Sequence, residues 1–366
     1  MKKAINLSLG ILLLMTLMLT GARAQGEEIE PTLVNTSEKG SLLIFPWIEV
    51  HRNKANKLDK DTIVKINNDG IEPVTLHCLW VTETNHPTDF FLELERNQPA
   101  WFFASGQDTG QNVSVPNFSG ERGEMLCFAI SAEAEAEGGV QQPIAFNQLY
   151  GSATVLDYDL SFASAYDSWN FKANADSGLP VGKPGELSLT GAPGGYDACP
   201  KTLVTDFIAK GGKMGSYYNT GTKLYAVSCK QDLRQANGPS TITALKLTAV
   251  NENSTWYTGM RQCMNFWFGG FLHEIAGPAG FGGYVFTSSH IHTDTGRLII
   301  KGLESRACTG SQDSPLLAVK QDYWSVPTAA VWPLKRFKSA ATTNTSGSVA
   351  DPSGYIRYDY YTDSDF

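Results

Sequence analysis

The sequence lacks the short motifs that identify common enzymes and metal-binding modules. It contains no GxSxG nucleophile elbow, no GxxxxGKS/T phosphate loop, no HExxH zinc motif and no CxxC pair. The sequence therefore lacks the signatures of serine hydrolases, P-loop nucleotidases, zinc proteases, zinc ribbons and thioredoxin-like proteins. The sequence therefore predicts no catalytic residue and no cofactor.

Long amphipathic helical patterns are also lacking, which argues against parallel α/β folds. The stretch Asp61–Glu83 instead predicts two β-strands joined by a polar turn at Asn67–Gly70. Four residues of the second strand share one face at period two: Val74, Leu76, Cys78 and Trp80. A strand that buries Cys and Trp needs a second sheet over it, so we expect two antiparallel immunoglobulin-like β-sandwich domains.

Positive charge is scarce in this chain. Lys and Arg number 29 against 37 Asp and Glu, which gives a formal net charge of −8. Nucleic acid is a poor partner for such a chain, because phosphate contacts need clustered Lys and Arg. We therefore predict no nucleic-acid partner.

Only the first 24 residues hold a long apolar run. Lys2 and Lys3 precede the apolar segment Leu9–Leu19, and Ala22-Arg23-Ala24 fits the small-x-small cleavage rule. Residues 1–24 are predicted to be a signal peptide, whose removal would leave 26 basic and 37 acidic residues, a net charge of −11. The mature chain is expected to have no transmembrane segment and to be exported to the cell surface or the medium, with the periplasm as an alternative.

Cysteine usage agrees with export. Six cysteines follow the predicted cleavage site: Cys78, Cys127, Cys199, Cys229, Cys263 and Cys308. An even number in an exported chain favours disulfides. We predict that Cys78 pairs with Cys127 and bridges two sheets of the first domain. For the other four, three connectivities are open, and Cys229–Cys263 with Cys199–Cys308 is favoured.

Composition divides the mature chain into five parts. The predicted division is an arm at 25–40, a first β domain at 41–175, a Gly/Pro-rich linker at 176–195, a second β domain at 196–338 and a flexible tail at 339–366. Pro46 lies in an apolar strand near the start of the first domain. Because proline cannot donate a ladder hydrogen bond, this strand is predicted to be an edge strand or a bulged one.

Several segments resemble a group of uncharacterised exported proteins of Gram-negative bacteria. They are GSLLIFP (40–46), DTIVKINN and PVTLHC (61–78), NQPAWFFASG (97–106), PIAFNQLYGSATV (143–155), YDSWNFKA (166–173), YDACP (196–200), SCKQDL (228–233), VNENS (250–254) and RQC (261–263). The motifs are typical of strands and turns. The resemblance implies a β-sandwich fold and an exported location, and it carries no activity over to this chain.

Histidine provides the weak metal candidates. His290 and His292 would share one face if they lay in a strand, and His273 with Glu274 lies nearby in sequence. The alternative is that these histidines are exposed near turns or serve the core. We predict no metal site, with His273, His290 and His292 as the residues to examine.

The C-terminal tail is the candidate for assembly. Residues 339–350 are mostly small and polar, which predicts a tether. Tyr355, Ile356, Tyr358 and Tyr360 follow with high β-propensity, and Ile356, Tyr358 and Tyr360 would share one face of a strand. Such a strand can dock on its own sheet, or it can add to the sheet of a second copy.

These patterns predict a non-enzymatic, exported structural or surface-interaction protein, such as a component of an adhesin, a matrix or a filament. Its expected partners are copies of itself, by strand exchange, or other surface proteins and polymers. The alternative from a different class is a secreted protein that binds or hydrolyses carbohydrate, for which the frequent Trp, Tyr and Phe could form platforms.

We expect export to remove residues 1–24. Mass spectrometry of the N-terminal peptide of cell-derived protein should show Gln25 as the first residue, because Ala24 is the small residue before the cut. A mature product that retains a peptide covering Ile11–Leu19 would contradict the prediction.

Overall fold

Strands form nearly all of the regular structure in the computed structural model. It describes residues 31–106, 112–131, 141–214, 217–234, 242–277, 285–305, 312–325 and 349–359. The helical pieces in these ranges are a 3₁₀ turn, Leu272–Glu274, and one helical turn, α1, Ser288–Ile291. The all-β prediction is therefore confirmed.

The strands fall at short intervals along the chain. In the first half they are β1 (Leu42–Glu49), β2 (His51–Arg52), β3 (Leu58–Asn68), β4 (Val74–Thr82), β5 (Pro87–Leu94), β6 (Pro99–Phe103), β7 (Arg122–Ile130), β8 (Leu149–Asp157), β9 (Phe162–Asp167), β10 (Trp169–Phe171) and β11 (Glu186–Leu189). In the second half they are β12 (Cys199–Pro200), β13 (Leu203–Ile208), β14 (Lys213–Met214), β15 (Tyr217–Ser228), β16 (Lys230–Asp232), β17 (Ile242–Asn251), β18 (Trp256–Met264), β19 (Trp267–Phe271), β20 (Thr295–Ser305), β21 (Gln312–Ser314), β22 (Leu316–Ser325), β23 (Ala350–Asp351) and β24 (Gly354–Arg357).

Hydrogen bonding joins these strands into five sheets and one ribbon. The central sheet has the order β10-β1-β7-β4-β5, and the tail sheet has the order β11-β24-β16. The other sheets are β2-β3-β8-β9 with β6 on β3, β13-β20-β17-β18 with β21 on β20, and β14-β15-β19 with β22 on β15. The tail ribbon consists of β12 and β23.

The prediction of two immunoglobulin-like sandwich domains is wrong. The five sheets are arranged as in a five-bladed β-propeller, and Pro31–Phe366 forms one compact unit. The physical reason lies in the central sheet. A two-sheet sandwich leaves one face of each sheet in water, whereas a blade of a propeller packs against a neighbour on both faces.

The central sheet shows this double burial directly. All eight residues of β1 are buried, as are nearly all those of β4 and β7. On one face Trp80 packs edge-on against Phe102 of β6, with ring centroids 5.9 Å apart. On the other face Phe128 contacts Tyr358, with centroids 5.0 Å apart. Strands buried on both faces favour continuous apolar runs, which explains the sequence LLIFPWI of β1.

The stretch Asp61–Glu83 forms two strands, but they are not a hairpin. β3 pairs with β6 and β8, while β4 pairs with β5 and β7 in the central sheet. The polar turn therefore carries the chain from one sheet to the next. The Asn68 side-chain oxygen accepts a hydrogen bond from the Gly70 amide at 2.8 Å, which holds this turn closed.

Pro46 lies at a bulge and not at an edge. β1 is an internal strand between β10 and β7, and its register with β7 shifts between Phe45 and Ile48. The bulge leaves the carbonyl oxygen of Pro46 free of the ladder, and Trp267 of β19 donates its indole N–H to that oxygen at 2.9 Å. The bulged alternative for this strand is confirmed, and the edge alternative is wrong.

A second group of contacts joins the N-terminal half to the C-terminal half. Trp47 stacks on Tyr225 of β15 with ring centroids 4.1 Å apart. The Glu49 carboxylate accepts hydrogen bonds from the Trp47 indole and from the Lys60 ammonium, each at 3.0 Å. Burial alone would raise the pKa of Glu49, but Lys223 and Lys60 hold it below its usual value. The buried carboxylate is thus paired, as a charge in the interior must be.

The predicted arm and linker are parts of the fold where the structure describes them. Val34 is buried and its amide donates to Ala198 at 3.0 Å. In the Gly/Pro-rich segment 176–195, β11 forms and its residues Leu187 and Leu189 are completely buried. The predicted signal peptide lies outside the described residues.

The disulfide Cys78–Cys127 is confirmed, with an S–S distance of 2.07 Å. Its predicted role as a bridge between two sheets is wrong, because Cys78 and Cys127 face each other on the paired strands β4 and β7. Their Cα atoms are 4.1 Å apart, as is typical of a pair of residues opposite each other without mutual hydrogen bonds. The disulfide therefore ties two neighbouring strands at the middle of the central sheet.

We expect the double substitution Cys78→Ala/Cys127→Ala to lower the free energy of unfolding by about 4 kcal/mol, because it opens a closed loop of about 50 residues. Urea unfolding under non-reducing conditions measures the change. The wild-type chain in the same buffer is the reference. A loss below about 1 kcal/mol would show that this disulfide constrains the unfolded chain far less than its loop length implies.

Candidate functional site

The C-terminal strand β24 occupies the middle of the tail sheet. It pairs antiparallel with β11, in the register Glu186↔Arg357 to Leu189↔Gly354, and parallel with β16. The strands on its two sides come from distant parts of the chain. Among the described residues, β24 is therefore the strand that joins β11 to β16 in one sheet.

Side chains of the tail reach deep into the protein. Ile356 and Tyr358 are completely buried. The Tyr358 ring packs against Phe128 and, with centroids 5.4 Å apart, against the edge of His77 in the central sheet. Full burial of a residue such as Ile stabilises a fold by about 1.5–3 kcal/mol. The predicted strand is confirmed for Tyr355 and Ile356, but it ends at Arg357, one residue before Tyr358. Ile356 and Tyr358 are both buried, as expected for a shared face, and Tyr360 lies outside the described residues.

A disulfide links two of the three strands that pair with the tail. Cys199 lies in β12, which pairs with β23, and Cys229 immediately precedes β16, which pairs with β24. These two cysteines are bonded, with their Cα atoms 6.6 Å apart. The Cys229 carbonyl also accepts the Tyr355 amide at 2.8 Å. The predicted pairs Cys229–Cys263 and Cys199–Cys308 are therefore wrong. Cys263 is also disulfide-bonded, and Cys308 lies outside the described residues.

The pairing was missed because sequence separation does not determine which cysteines meet. Cys199 and Cys229 lie beside the tail ribbon and the tail sheet, whose strands β23 and β24 are consecutive in the chain. No pattern local to either cysteine contains that information.

Charged side chains surround the outer face of the tail sheet. Arg357 donates its Nε to Glu186 at 3.0 Å and lies over the Tyr355 ring, 4.6 Å from its centroid. Arg234 donates to both oxygens of Asp232, at 2.8 and 2.5 Å. This bidentate bond holds the pKa of Asp232 below its usual value. The bidentate bond fixes the plane of the Arg234 guanidinium, and the Nε bond together with the Tyr355 ring contact orients that of Arg357.

These charges open onto a cavity with a volume of about 520 Å³. Its lining comes from the turn before β11, from the end of β16 and from the end of β24: Lys183, Pro184, Gly185, Glu186, Arg234, Arg357, Tyr358 and Asp359. Sequence reasoning singled out Tyr358 in this set but none of the charged residues. The only available signal was the alternation of basic and acidic residues around 230–234, in KQDLR.

The inner side of the tail sheet meets a buried acid. Glu124 of β7 is completely buried, and its two carboxyl oxygens have no hydrogen-bond partner of ordinary geometry among the described residues. Burial raises the pKa of Glu124 to about 8, against the opposing effect of the Gln231 amide on β16. The carboxyl is therefore protonated at neutral pH, where it can act as a donor towards the oxygen of Gln231.

The predicted metal candidates do not come together as a strand face. His290 lies in α1, and His292 follows it as an exposed residue with a φ of 59°. His273 is buried against Gly221, where an added Cβ would lie 2.7 Å from the His273 Nδ1. Burial, with the nearby Lys210, lowers the pKa of His273. Within the described ranges, no group of three or more His, Cys, Asp or Glu residues is arranged to hold a metal ion.

Comparison with protein-family models and with curated proteins finds no match to this sequence. The resemblance to exported Gram-negative proteins therefore stays a prediction. Among the described residues, no helix has the length and apolar character needed to cross a bilayer.

We expect Glu124→Gln to change how stability depends on pH. A carboxyl whose pKa is higher in the folded chain stabilises the fold fully below its unfolded pKa of about 4.5, and this contribution is lost as pH rises towards 8. Wild-type stability should therefore fall relative to Glu124→Gln between pH 5 and 8, by up to about 1.4 kcal/mol per pH unit. Urea unfolding across this pH range measures the effect.

The matched control is Glu72→Gln, since Glu72 is exposed. Its pH profile should run parallel to that of the wild type. If Glu124→Gln also ran parallel to the wild type, the buried carboxyl would titrate normally and the interpretation would be wrong.

Proposed function

We propose that this protein is an exported, non-enzymatic structural or surface-interaction protein that assembles with copies of itself by exchanging its tail strand. The observation that carries the proposal is the position of β24 between β11 and β16. Its other partners are proposed to be surface proteins or polymers.

Removal of β24 would leave a gap one strand wide. Because neighbouring strands lie about 4.8 Å apart, β11 and β16 would stand about 10 Å from each other, each with one open edge. The gap would expose Leu187 and Leu189, which are completely buried in the folded chain. A gap of this kind accepts a strand with the right register and apolar face, whichever copy supplies the strand.

The connection to the tail strand is long enough for exchange. Residues 326–348 connect Ser325, the end of β22, to Val349. A segment of this length spans at most about 80 Å. An exchanged strand would make the same contacts in a second copy that it makes in its own, so exchange costs little free energy. Each copy would give one strand and receive one, which links copies into a dimer or a chain.

The disulfides support the proposed location. Two bridges, Cys78–Cys127 and Cys199–Cys229, form within the described residues, and disulfides persist in oxidising compartments outside the cytosol. The Cys199–Cys229 bridge would also keep β12 and β16 in place as a receiving site while the tail strand is away. Export and surface location are parts of the proposal.

Strand exchange can be tested by trapping the tail in a second copy. Ser188 faces Tyr355 across β11 and β24. The Tyr355 amide points away from β11, towards Cys229, and the Ser188 carbonyl accepts Tyr196. The two residues are thus a close pair without mutual hydrogen bonds, which suits an engineered disulfide. A mixture of differently tagged Ser188→Cys and Tyr355→Cys chains should form a mixed disulfide-linked dimer.

The control mixture replaces Ser188→Cys by Glu72→Cys, an exposed position in the N-terminal half. It reports random collisions of thiols and should give far less dimer. A second variant that ends at Lys338 lacks β23 and β24 and should be monomeric by light scattering. Equal dimer yields in both mixtures, or identical surface assemblies with and without the tail, would contradict the proposal.

A further inference from the structure

We propose that the charged cavity beside the tail sheet binds a carboxylated sugar, such as a hexuronic acid unit of an acidic polysaccharide. The cavity volume of about 520 Å³ lies within the range of small-ligand sites. The cavity is complete within one chain, so the inference does not rest on strand exchange.

Hydrogen-bond donors from three separate segments converge on this cavity. Lys183 is well exposed, with 72% of its side chain accessible, and its ammonium is 3.8 Å from Glu186. Arg234 and Arg357 each use part of their guanidinium on an internal carboxylate. The Nη1 of Arg234 and the Nη2 of Arg357 have no hydrogen-bond partner within the described part of the chain. Because the internal bonds fix both planes, these donors are held ready for a ligand carboxylate.

Acceptors are present in the same lining. Glu186 and Asp359 border the cavity along with the three cations. Asp232, which is bonded to Arg234 and lies 4.0 Å from Arg357, balances the third cation. The site therefore favours a carboxylate through its free guanidinium donors and not through an excess of positive charge. Carboxylate side chains accept hydrogen bonds from sugar hydroxyls, and Lys and Arg donate to them. A ligand with one carboxylate and several hydroxyls satisfies both kinds of group.

The same lining disfavours the simpler ligands. A phosphate ion carries more negative charge than a carboxylate at neutral pH, so it would be repelled more strongly by Glu186 and Asp359. A neutral sugar would satisfy the acceptors but would leave the free donors of Arg234 and Arg357 without a charged partner. The carboxylated sugar fits because its carboxylate meets these donors and its hydroxyls meet Glu186 and Asp359.

Titration of the full chain with glucuronic acid, its oligosaccharides, glucose and inorganic phosphate tests the inference by calorimetry or saturation-transfer NMR. Glucuronic acid should bind at least about tenfold more tightly than glucose or phosphate, since only it forms charge-assisted bonds together with hydroxyl bonds. Oligosaccharides with several acidic units should bind at least as tightly.

Two variants locate the binding. Arg234→Gln should weaken glucuronic acid binding about tenfold, and Lys183→Gln about threefold, because a charged hydrogen bond is replaced by a neutral one. Lys54→Gln, at an exposed site outside the cavity lining, should leave binding unchanged. Lys183 is largely exposed, so its substitution keeps the test valid even if Arg234→Gln impairs folding.

Several results would overturn the inference. Equal affinity for phosphate would reduce the cavity to a general anion site, and equal affinity for glucose would remove the role of the carboxylate. Binding that survives both Arg234→Gln and Lys183→Gln would place the sugar elsewhere. Because residues 360–366 continue from Asp359 at the rim, a chain ending at Asp359 is titrated in parallel. Binding only by that shortened chain would show that the intact protein does not use the cavity.

Discussion

Burial of the central sheet on both faces is the constraint on which the rest of the structure depends. β1, β4 and β7 expose almost no side-chain surface, so each face must be covered by another part of the chain. The N-terminal half provides one cover through β6, whose Phe102 meets Trp80. The other cover comes from the C-terminal half and from the tail. Neither half can therefore satisfy this sheet without the other.

The contacts between the halves follow from this requirement. Two tryptophans donate their indole N–H groups across the boundary: Trp267 to Pro46 at 2.9 Å and Trp169 to Ala318 at 3.3 Å. Trp47 stacks on Tyr225 across the same boundary, and within the N-terminal half Tyr166 donates to the Trp47 carbonyl at 2.5 Å. Large aromatic residues suit this boundary because they bury much apolar area and still satisfy a polar group. The boundary thus behaves as a core and not as a hinge between domains.

The tail acts as the final cover of the same sheet. Tyr358 packs against Phe128 and His77. Ile356 pairs with Leu187 and Gln231, which are 169 and 125 positions away in the sequence. Pairing between strands that are far apart in the sequence has a high entropic cost of loop closure. The chain between the two strands loses conformational freedom when they pair. The disulfide Cys199–Cys229 ties β12 to the start of β16, so two of the strands that pair with the tail are linked covalently. Docking of the tail and formation of the charged cavity are consequences of one event, because Arg357 and Asp359 belong to the tail.

Local patterns in the sequence determined the all-β character, the positions of most strands, the Cys78–Cys127 bond and the strand that contains Tyr355 and Ile356. Each depends on residues close in sequence or, for the disulfide, on the presence of only two cysteines in that half. Tertiary structure alone decided the sheet arrangement, the Cys199–Cys229 bond, the separation of β3 from β4 and the meeting of Lys183, Arg234 and Arg357 around one cavity. The physical reason is that period-two patterning states which face of a strand is apolar, but it does not state which sheet will cover that face. In the central sheet both faces are covered, and the partners that cover them are brought there only by the complete fold.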